Sequence, residues 1–376
     1  MSLKFIHTAD IHLGAPLTSF GDYAPKRQQD FRNTFSKIID LAVERSIPLL
    51  LIAGDLFDDI EIDRALVGWV AEELRRYSHN NGTTVVIPGT HDHTEGGNWT
   101  LKSLNNVYLL DSPVLTSPLK LEIDSQNIYV YGFSFRHGET PENWRPMMTR
   151  RDQSGFHVGL LHGAFKRNKE WNIPQKDLPF SLLDLKELNL DYVALGHYHQ
   201  SQIIEHEGRV VGAYPGSPEG KTFGESGVRV AHIVTINEPK SNAQIEQVPV
   251  QTKLLKEMTL DVGECGNEEV IIQRISKEGG PDVLARITLN GIAEFPIATE
   301  KLTYALTSSF PHIEIRNETT LIESSMVDTL RDELTIRGAF VRRALNTLEQ
   351  AKTMEERSQI RRAMNEVLIE FQRGTR

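Results

Sequence analysis

The sequence predicts an α/β fold: a two-sheet sandwich flanked by helices, followed by a small α/β unit and a C-terminal helical hairpin. Three observations predict it. From residue 4 to about 235, short apolar runs bounded by Gly, Asp or Pro alternate with helix-like stretches, the pattern of buried strands and the helices that cover them. Beyond residue 107 the strand candidates crowd together, as a second sheet requires. Past residue 325 strands give way to helical spacing: Ile360, Ala363, Met364, Val367, Leu368 and Phe371 fall on one stripe of an amphipathic helix over 353–372.

Taken in order, "KFIHTAD" supplies the first strand, 26–45 a helix, "IPLLLIAGD" the second strand, 61–78 a helix and "TTVVIPG" the third strand. The second helix carries Leu66, Trp69, Val70 and Leu74 at helical spacing. Strands are then expected at 107–110, 119–123, 128–133, 156–161, 192–196, 209–213 and 228–236. The polar stretch "NEPKSNAQIEQ" (237–247) reads as a linker or surface hairpin. A smaller unit follows as strand 257–262, helix 267–278, strand 283–290, helix 299–309 and strand 312–316. One helix is expected over 326–351, with Val327, Leu330, Leu334, Val341, Leu345 and Leu348 on its stripe, and Thr353 with Glu356 makes a capping box for the last helix. The domains expected are 1–236, 250–324 and 325–376.

With 39% hydrophobic and 24% charged residues, and no apolar segment near bilayer length, the chain reads as globular with no membrane span. "MSLKFIHTADIH" has no export signal and Cys265 is a lone cysteine, which together suggest a cytoplasmic protein without disulfides or a thiolate metal site. A net charge of −10 excludes coat-like binding to nucleic acid, because that affinity comes from Lys and Arg neutralising phosphates. Any recognition of DNA has to be local.

Five strand ends carry metal-binding chemistry: "ADIH" (Asp10, His12), "AGDLFDD" (Asp55, Asp58), "PGTHDH" (His91, Asp92, with His93 unassigned), "LLHG" (His162) and "LGHYH" (His197, His199). Loops at strand C-terminal ends of an α/β sheet converge on one crevice, so residues scattered along the chain can meet there. Singly, each Asp reads equally well as a turn or cap residue and each His as a structural one; their joint recurrence points to a site. Imidazole and carboxylate without sulfur suit manganese, iron, zinc or nickel. The donors exceed what one ion needs, which suggests two divalent ions sharing a carboxylate, the arrangement that clamps attacking and leaving oxygens in phosphoryl chemistry.

"HTADIHLG", "GDLFD", "PGTHD", "LHG", "GHYH" and "YPGSPEG", in that order, resemble the calcineurin-like metallophosphoesterases, and within them the SbcD-type double-strand-break-repair nucleases and their YhaO-like bacterial relatives. The resemblance covers about 1–235. It implies a nuclease domain over 1–236, a capping domain over 250–324, and C-terminal helices that bind an SbcC-like ABC/SMC-type ATPase. It further implies that Asp10, His12, Asp55 and His199 hold one ion, and that Asp55 bridges to a second held by His162 and His197. His91 is then the general acid at the leaving oxygen, with Asp92 orienting it or shaping the loop. Asp58 reads as a cap for the helix near residue 61. The function implied is manganese-dependent hydrolysis of phosphodiester bonds in DNA. The alternatives are a phosphodiesterase acting on small nucleotides and a catalytically weakened DNA-end or ATPase adaptor.

Thr90 departs from the family, which ordinarily places Asn there as a ligand of the second ion; a shorter hydroxyl implies weakened binding at that site. The glycine-rich "YPGSPEGKTFGESG" (214–227) offers Ser217, Lys221 and Thr222 to a DNA phosphate, or is an ordinary turn between strands. Ten Lys or Arg against eight Asp or Glu over 328–376 make the tail basic relative to the rest, as a partner surface or a solvated helical face. Family resemblance also implies a homodimer, through 61–80 or 94–110.

Overall fold

A computed structural model of the chain describes residues 2–92, 100–167, 171–263, 265–322 and 324–373; His93 and part of 94–110 lie outside the described residues. Two compact units divide it, Met1–Leu254 and Leu255–Arg376.

The first unit carries two six-stranded sheets. Its strands are β1 (Leu3–Thr8), β2 (Leu49–Ala53), β3 (Thr83–Ile87), β4 (Val107–Leu109), β5 (Leu119–Ile123), β6 (Gln126–Gly132), β7 (Phe156–His162), β8 (Tyr192–Gly196), β9 (Gln202–His206), β10 (Arg209–Tyr214), β11 (Val230–Ile236) and β12 (Gln244–Pro249). One sheet runs β12-β11-β1-β2-β3-β4 and the other β5-β6-β7-β8-β10-β9. β1 to β4 pair in parallel, as do β6, β7, β8 and β10. Between the sheets Phe5, Leu49, Leu51, Val85, Ile128, Val130, Val158, Leu160 and Ala194 form one core. β2 and β8 are buried at every position, as expected of parallel strands covered on both faces. Helices α1 (Ala24–Glu44) and α2 (Arg64–His79) turn Phe31, Phe35, Ile38 and Ala42, and Leu66, Val70 and Leu74, inward.

Two departures from the sequence reading have simple causes. β12 pairs antiparallel with β11 from Val230↔Pro249 to Thr235↔Gln244, so of the two readings of 237–247 the structure has the hairpin and not the linker, and the first unit continues past residue 236. Asp63, not Asp58, caps α2, accepting from the amide of Ala65 at 3.1 Å; Asp58 is engaged elsewhere.

α1 also anchors a distant loop. The buried Arg27 guanidinium reaches Asp30 at 2.9 Å, Glu219 Oε1 at 2.8 Å and the Gly220 carbonyl at 2.8 Å. Thr34 donates to Glu219 Oε2 at 2.6 Å. A buried charge is tolerated when it is paired and hydrogen-bonded, as both terminal nitrogens of Arg27 are, and here the network fixes the loop after β10.

Behind the strand ends, His7 of β1 faces His232 of β11 across the ladder, ring centroids 5.9 Å apart. Burial holds both imidazoles neutral: His7 well below its ordinary value, His232 down to about 4. Below pH 6.5 the unfolded chain takes up a proton at each position and the folded chain does not. The stability they contribute is therefore complete above pH 6.5 and is lost as pH falls towards 4, for His232 by about 3 kcal/mol at ~1.4 kcal/mol per pKa unit. We expect His232→Gln to flatten the fall in urea midpoint between pH 7 and 4.5; a slope equal to wild type would refute this assignment.

The second unit holds a three-stranded sheet of β13 (Leu254–Asp261), β14 (Val283–Asn290) and β16 (His312–Asn317), and a short pair, β15 (Ile292–Ala293) with β17 (Thr320–Leu321). A four-residue α3 (Arg145–Met148) and α4 (Leu182–Glu187) belong to the first unit; α5 (Glu268–Ser276) and α6 (Thr299–Leu306) cover this smaller sheet through Ile271, Ile275, Leu302 and Leu306. The helix expected over 326–351 is two, α7 (Ser324–Asp332) and α8 (Ile336–Gln350), because Thr335 turns extended and caps α8 through the Gly338 amide at 3.2 Å. α9 (Met354–Arg373) begins at the expected box, Glu356 N to Thr353 Oγ1 at 3.1 Å. Val341, Met364 and Leu368 bury against one another and Ile322, while Leu334 and Ile336 at the α7–α8 turn stay exposed.

Candidate metal centre

The strand ends are shaped for close approach at a cost in backbone conformation. Asp10, His12 and Asp55 adopt φ of 52°, 51° and 50°, and His197 one of 107°. L-residues rarely hold such angles, and where they do the surroundings impose them, often at functional sites. Here the Asp10 amide donates to Gly54 O at 3.1 Å and the His12 amide to Asp55 O at 3.0 Å, tying the loop after β1 to the loop after β2. Gly54 and Gly89 must lack a side chain: a Cβ would stand 2.1 Å from His162 Nδ1 at the first and 2.2 Å from Asp55 Oδ1 at the second.

Into this frame project three groups of donor atoms: Asp10 with His12 and His199, Asp10 with Asp55 and His162, and His12 with Asp58 and His91, the first two sharing Asp10. Asp55 Oδ2 lies between the halves, 3.7 Å from His12 Nε2 and 3.4 Å from His162 Nε2, while Oδ1 accepts the His91 amide at 2.9 Å. His12 Nε2 and His199 Nε2 approach to 3.1 Å. His162 gives its Nδ1 proton to the Ala53 carbonyl at 2.9 Å, which leaves Nε2 as the atom available to a cation, buried and without a hydrogen-bond partner among the described residues. An imidazole whose far nitrogen is tied to a carbonyl is the usual state of a metal-bound histidine.

The charges tell the same story. Burial alone would depress the His162 pKa, but the Asp55 carboxylate outweighs it and holds the metal-free ring up to about 10, so a cation would take Nε2 by displacing a proton from it. Burial would likewise raise Asp55, yet His162, His12 and the His91 amide keep it well below the usual carboxylate range. Asp10 is pushed up by burial despite its imidazole neighbours. Buried carboxylates among imidazoles fit a divalent cation of nitrogen and oxygen preference, and Asp10, His12, Asp55, His162 and His199 supply it.

The remaining expected residues are placed differently. His197 touches Asp10 through its backbone, its amide donating to both carboxylate oxygens at 2.9 and 3.0 Å; its ring packs 5.4 Å from that of His162 and is in none of the three donor groups. Thr90 is half-buried between Gly89 and His91. His91 is exposed, its Nδ1 donating to the Asp58 carbonyl at 3.2 Å and its ring edge-on to His12. Asp92 does not support that ring: fully buried, it accepts the Gly89 amide at 2.6 Å and the Phe57 amide at 3.1 Å, and so shapes the loop. Burial, reinforced by Asp55, raises its carboxyl to about 7.

Ser217, expected at a phosphate, is fully buried and donates to Glu225 at 3.0 Å. Lys221 pairs with Asp58 at 2.5 Å, whereas Thr222 is exposed. The sequence reading missed Glu225, which accepts from His199 Nδ1 at 2.8 Å. Burial would raise this carboxyl, but His199 draws it down to about 2. Nothing in "FGESG" distinguishes this glutamate from a surface one.

The family model for calcineurin-like phosphoesterase matches residues 3–201. The chain is 29% identical over 303 residues to the uncharacterized metallophosphoesterase YhaO of Bacillus subtilis, covering 77% of this chain and 72% of that protein. It is 25% identical over 389 residues to the DNA double-strand break repair protein Mre11 of Archaeoglobus fulgidus, covering 88% and 82%. The Mre11 of Sulfurisphaera tokodaii is 26% identical over 226 residues, 57% of this chain and 54% of its own. Among the described residues no helix is long and apolar enough to cross a membrane.

Proposed function

Because the chain belongs to the calcineurin-like phosphoesterase family, we propose that it hydrolyses phosphodiester bonds in DNA during double-strand-break repair, using two manganese ions. The observation that carries this reading is the pair of donor groups joined through Asp10, with Asp55 Oδ2 set between His12 and His162. The repair names of two relatives support DNA as the substrate. When bound, such ions polarise the phosphoryl group and make water a competent nucleophile near neutral pH.

The protein's own residues do the rest. Asp10, His12 and His199 would hold one ion and Asp55 and His162 the other, with the Asp55 carboxylate between His12 and His162 serving both and His197 beside them. His91, whose Nδ1 is fixed on the Asp58 carbonyl, offers Nε2 to the leaving oxygen as a proton donor. Of the phosphate contacts, exposed Thr222 remains available. The C-terminal helices are the docking segment for an SbcC-like ATPase, and exposed Leu334 and Ile336 support this.

The test is cleavage of end-labelled duplex and single-stranded DNA with manganese. Hydrolysis of bis-p-nitrophenyl phosphate without DNA cleavage would replace this reading with a small-substrate phosphodiesterase. DNA binding with no hydrolysis of either would replace it with an adaptor. Thr90 sets a further expectation: since a threonine hydroxyl is a short neutral donor, Thr90→Asn should move the second step of a manganese titration to lower concentration. Superimposable titrations would remove Thr90 from the site.

A further inference from the structure

Five residues close a ring, two of them imidazoles that face each other and three that join them from behind. His12 Nδ1 lies 2.9 Å from Asp58 Oδ1, off the axis of a straight hydrogen bond, and Lys221 Nζ lies 2.5 Å from the same oxygen. The Lys221 amide donates to Glu225 Oε2 at 3.0 Å, and Glu225 Oε1 accepts from His199 Nδ1 at 2.8 Å. His199 Nε2 returns to His12 Nε2 at 3.1 Å. Each imidazole thus has a carboxylate at Nδ1, and Lys221 touches both carboxylates, one by its ammonium and one by its backbone.

A proton held at Nδ1 leaves a lone pair at Nε2. Two Nε2 lone pairs converging at this distance repel unless a proton or a cation lies between them, so rings that both hold their proton at Nδ1 form a cation site. Asp58 is partly open to solvent, and without a counter-charge it has no reason to stay turned towards His12. Lys221 is itself held from behind: Glu219 and Gly220, the residues before it, are fastened to buried Arg27 of α1.

We infer that Lys221 is a positioning residue of the metal centre: through Asp58, and in concert with Glu225, it fixes His12 and His199 as Nε2 donors, and it is not a substrate phosphate contact. The inference rests on the metal reading proposed above, but not on DNA as the substrate.

The test is calorimetric titration of the full chain with manganese alone. Removal of a group that orients a metal-bound histidine typically weakens binding about 10–100-fold, and this is expected at one of the two sites for Lys221→Ala, Asp58→Asn and Glu225→Gln. Lys221→Ala with Asp58→Asn should lose little more than either alone, and Lys221→Arg should recover part of the affinity. Wild-type manganese affinity in Lys221→Ala, with a raised KM for a phosphodiester, would overturn the inference and make Lys221 a substrate contact. If wild type took up no manganese the two-metal function would fall, and nitrogen-15 spectra of the metal-free protein would then decide the inference. Nδ1-protonated His12 and His199 in wild type, with His12 altered in Lys221→Ala, would uphold it. Rings unchanged by the substitution would overturn it.

Discussion

Asp55→Asn is expected to abolish manganese binding at both sites and to lower kcat/KM by on the order of 10³-fold or more, since the shared carboxylate carries much of the negative charge that two ions need. Three contacts make the position singular. Oδ2 faces both His12 and His162, Oδ1 receives the His91 amide, and the residue's left-handed backbone aims it there. An amide cannot serve the same neighbours, because one of its two ends is a donor. The fold should survive, as Asp55 adds to the burial that raises both Asp10 and Asp92, and its removal relieves that crowding. Circular dichroism should therefore be unchanged. Manganese at about a hundred times its dissociation constant should stabilise wild type by about 2.7 kcal/mol for each site filled and the variant not at all. A thermal shift of wild-type size in Asp55→Asn would refute the central place given to this carboxylate.

What the sequence discloses about this molecule follows burial. β2, β7 and β8 read clearly because every position is buried and, apart from His157 and His162 of β7, nearly all are apolar or small. β9 ("QIIEH") and β12 ("QIEQVP") escape because they are edge strands with one face or both in solvent, and a run with so few buried positions resembles a loop. The break at 333–335 escapes for a related reason: the apolar stripe continues through Leu334, which nevertheless points into solvent. At the site, the Asp and His that lie directly after buried strands are legible from type and place. The groups that orient them are not. Glu225 and Lys221 come from a loop whose position depends on Arg27, some 190 residues away in the chain, and no local pattern marks that pairing. Asp58 illustrates the limit best, since its spacing suits a helix cap while its carboxylate is already committed to His12 and Lys221.

His91→Ala separates proton transfer from ion binding, and is expected to lower kcat about 10²–10⁴-fold, the usual contribution of a positioned general acid, with manganese affinity close to wild type. His91 shares a donor group with His12 and Asp58 but belongs to neither of the two that contain the buried Asp10, and among the site's imidazoles it is the one exposed to solvent. Its Nδ1 is occupied by the Asp58 carbonyl, an acceptor only, so the ring presents Nε2 outward in a fixed orientation. Asp92 holds the loop on which the ring stands through the Gly89 and Phe57 amides. That attachment is to backbone, so replacing the imidazole leaves the loop in place and the loss reports on the ring itself. The deficit should shrink for a phosphodiester with a nitrophenolate leaving group, which departs without a proton, and stay large for DNA. An equal deficit on both substrates would mean that His91 stabilises the phosphoryl group and does not protonate the leaving oxygen; no deficit on either would remove it from the chemistry.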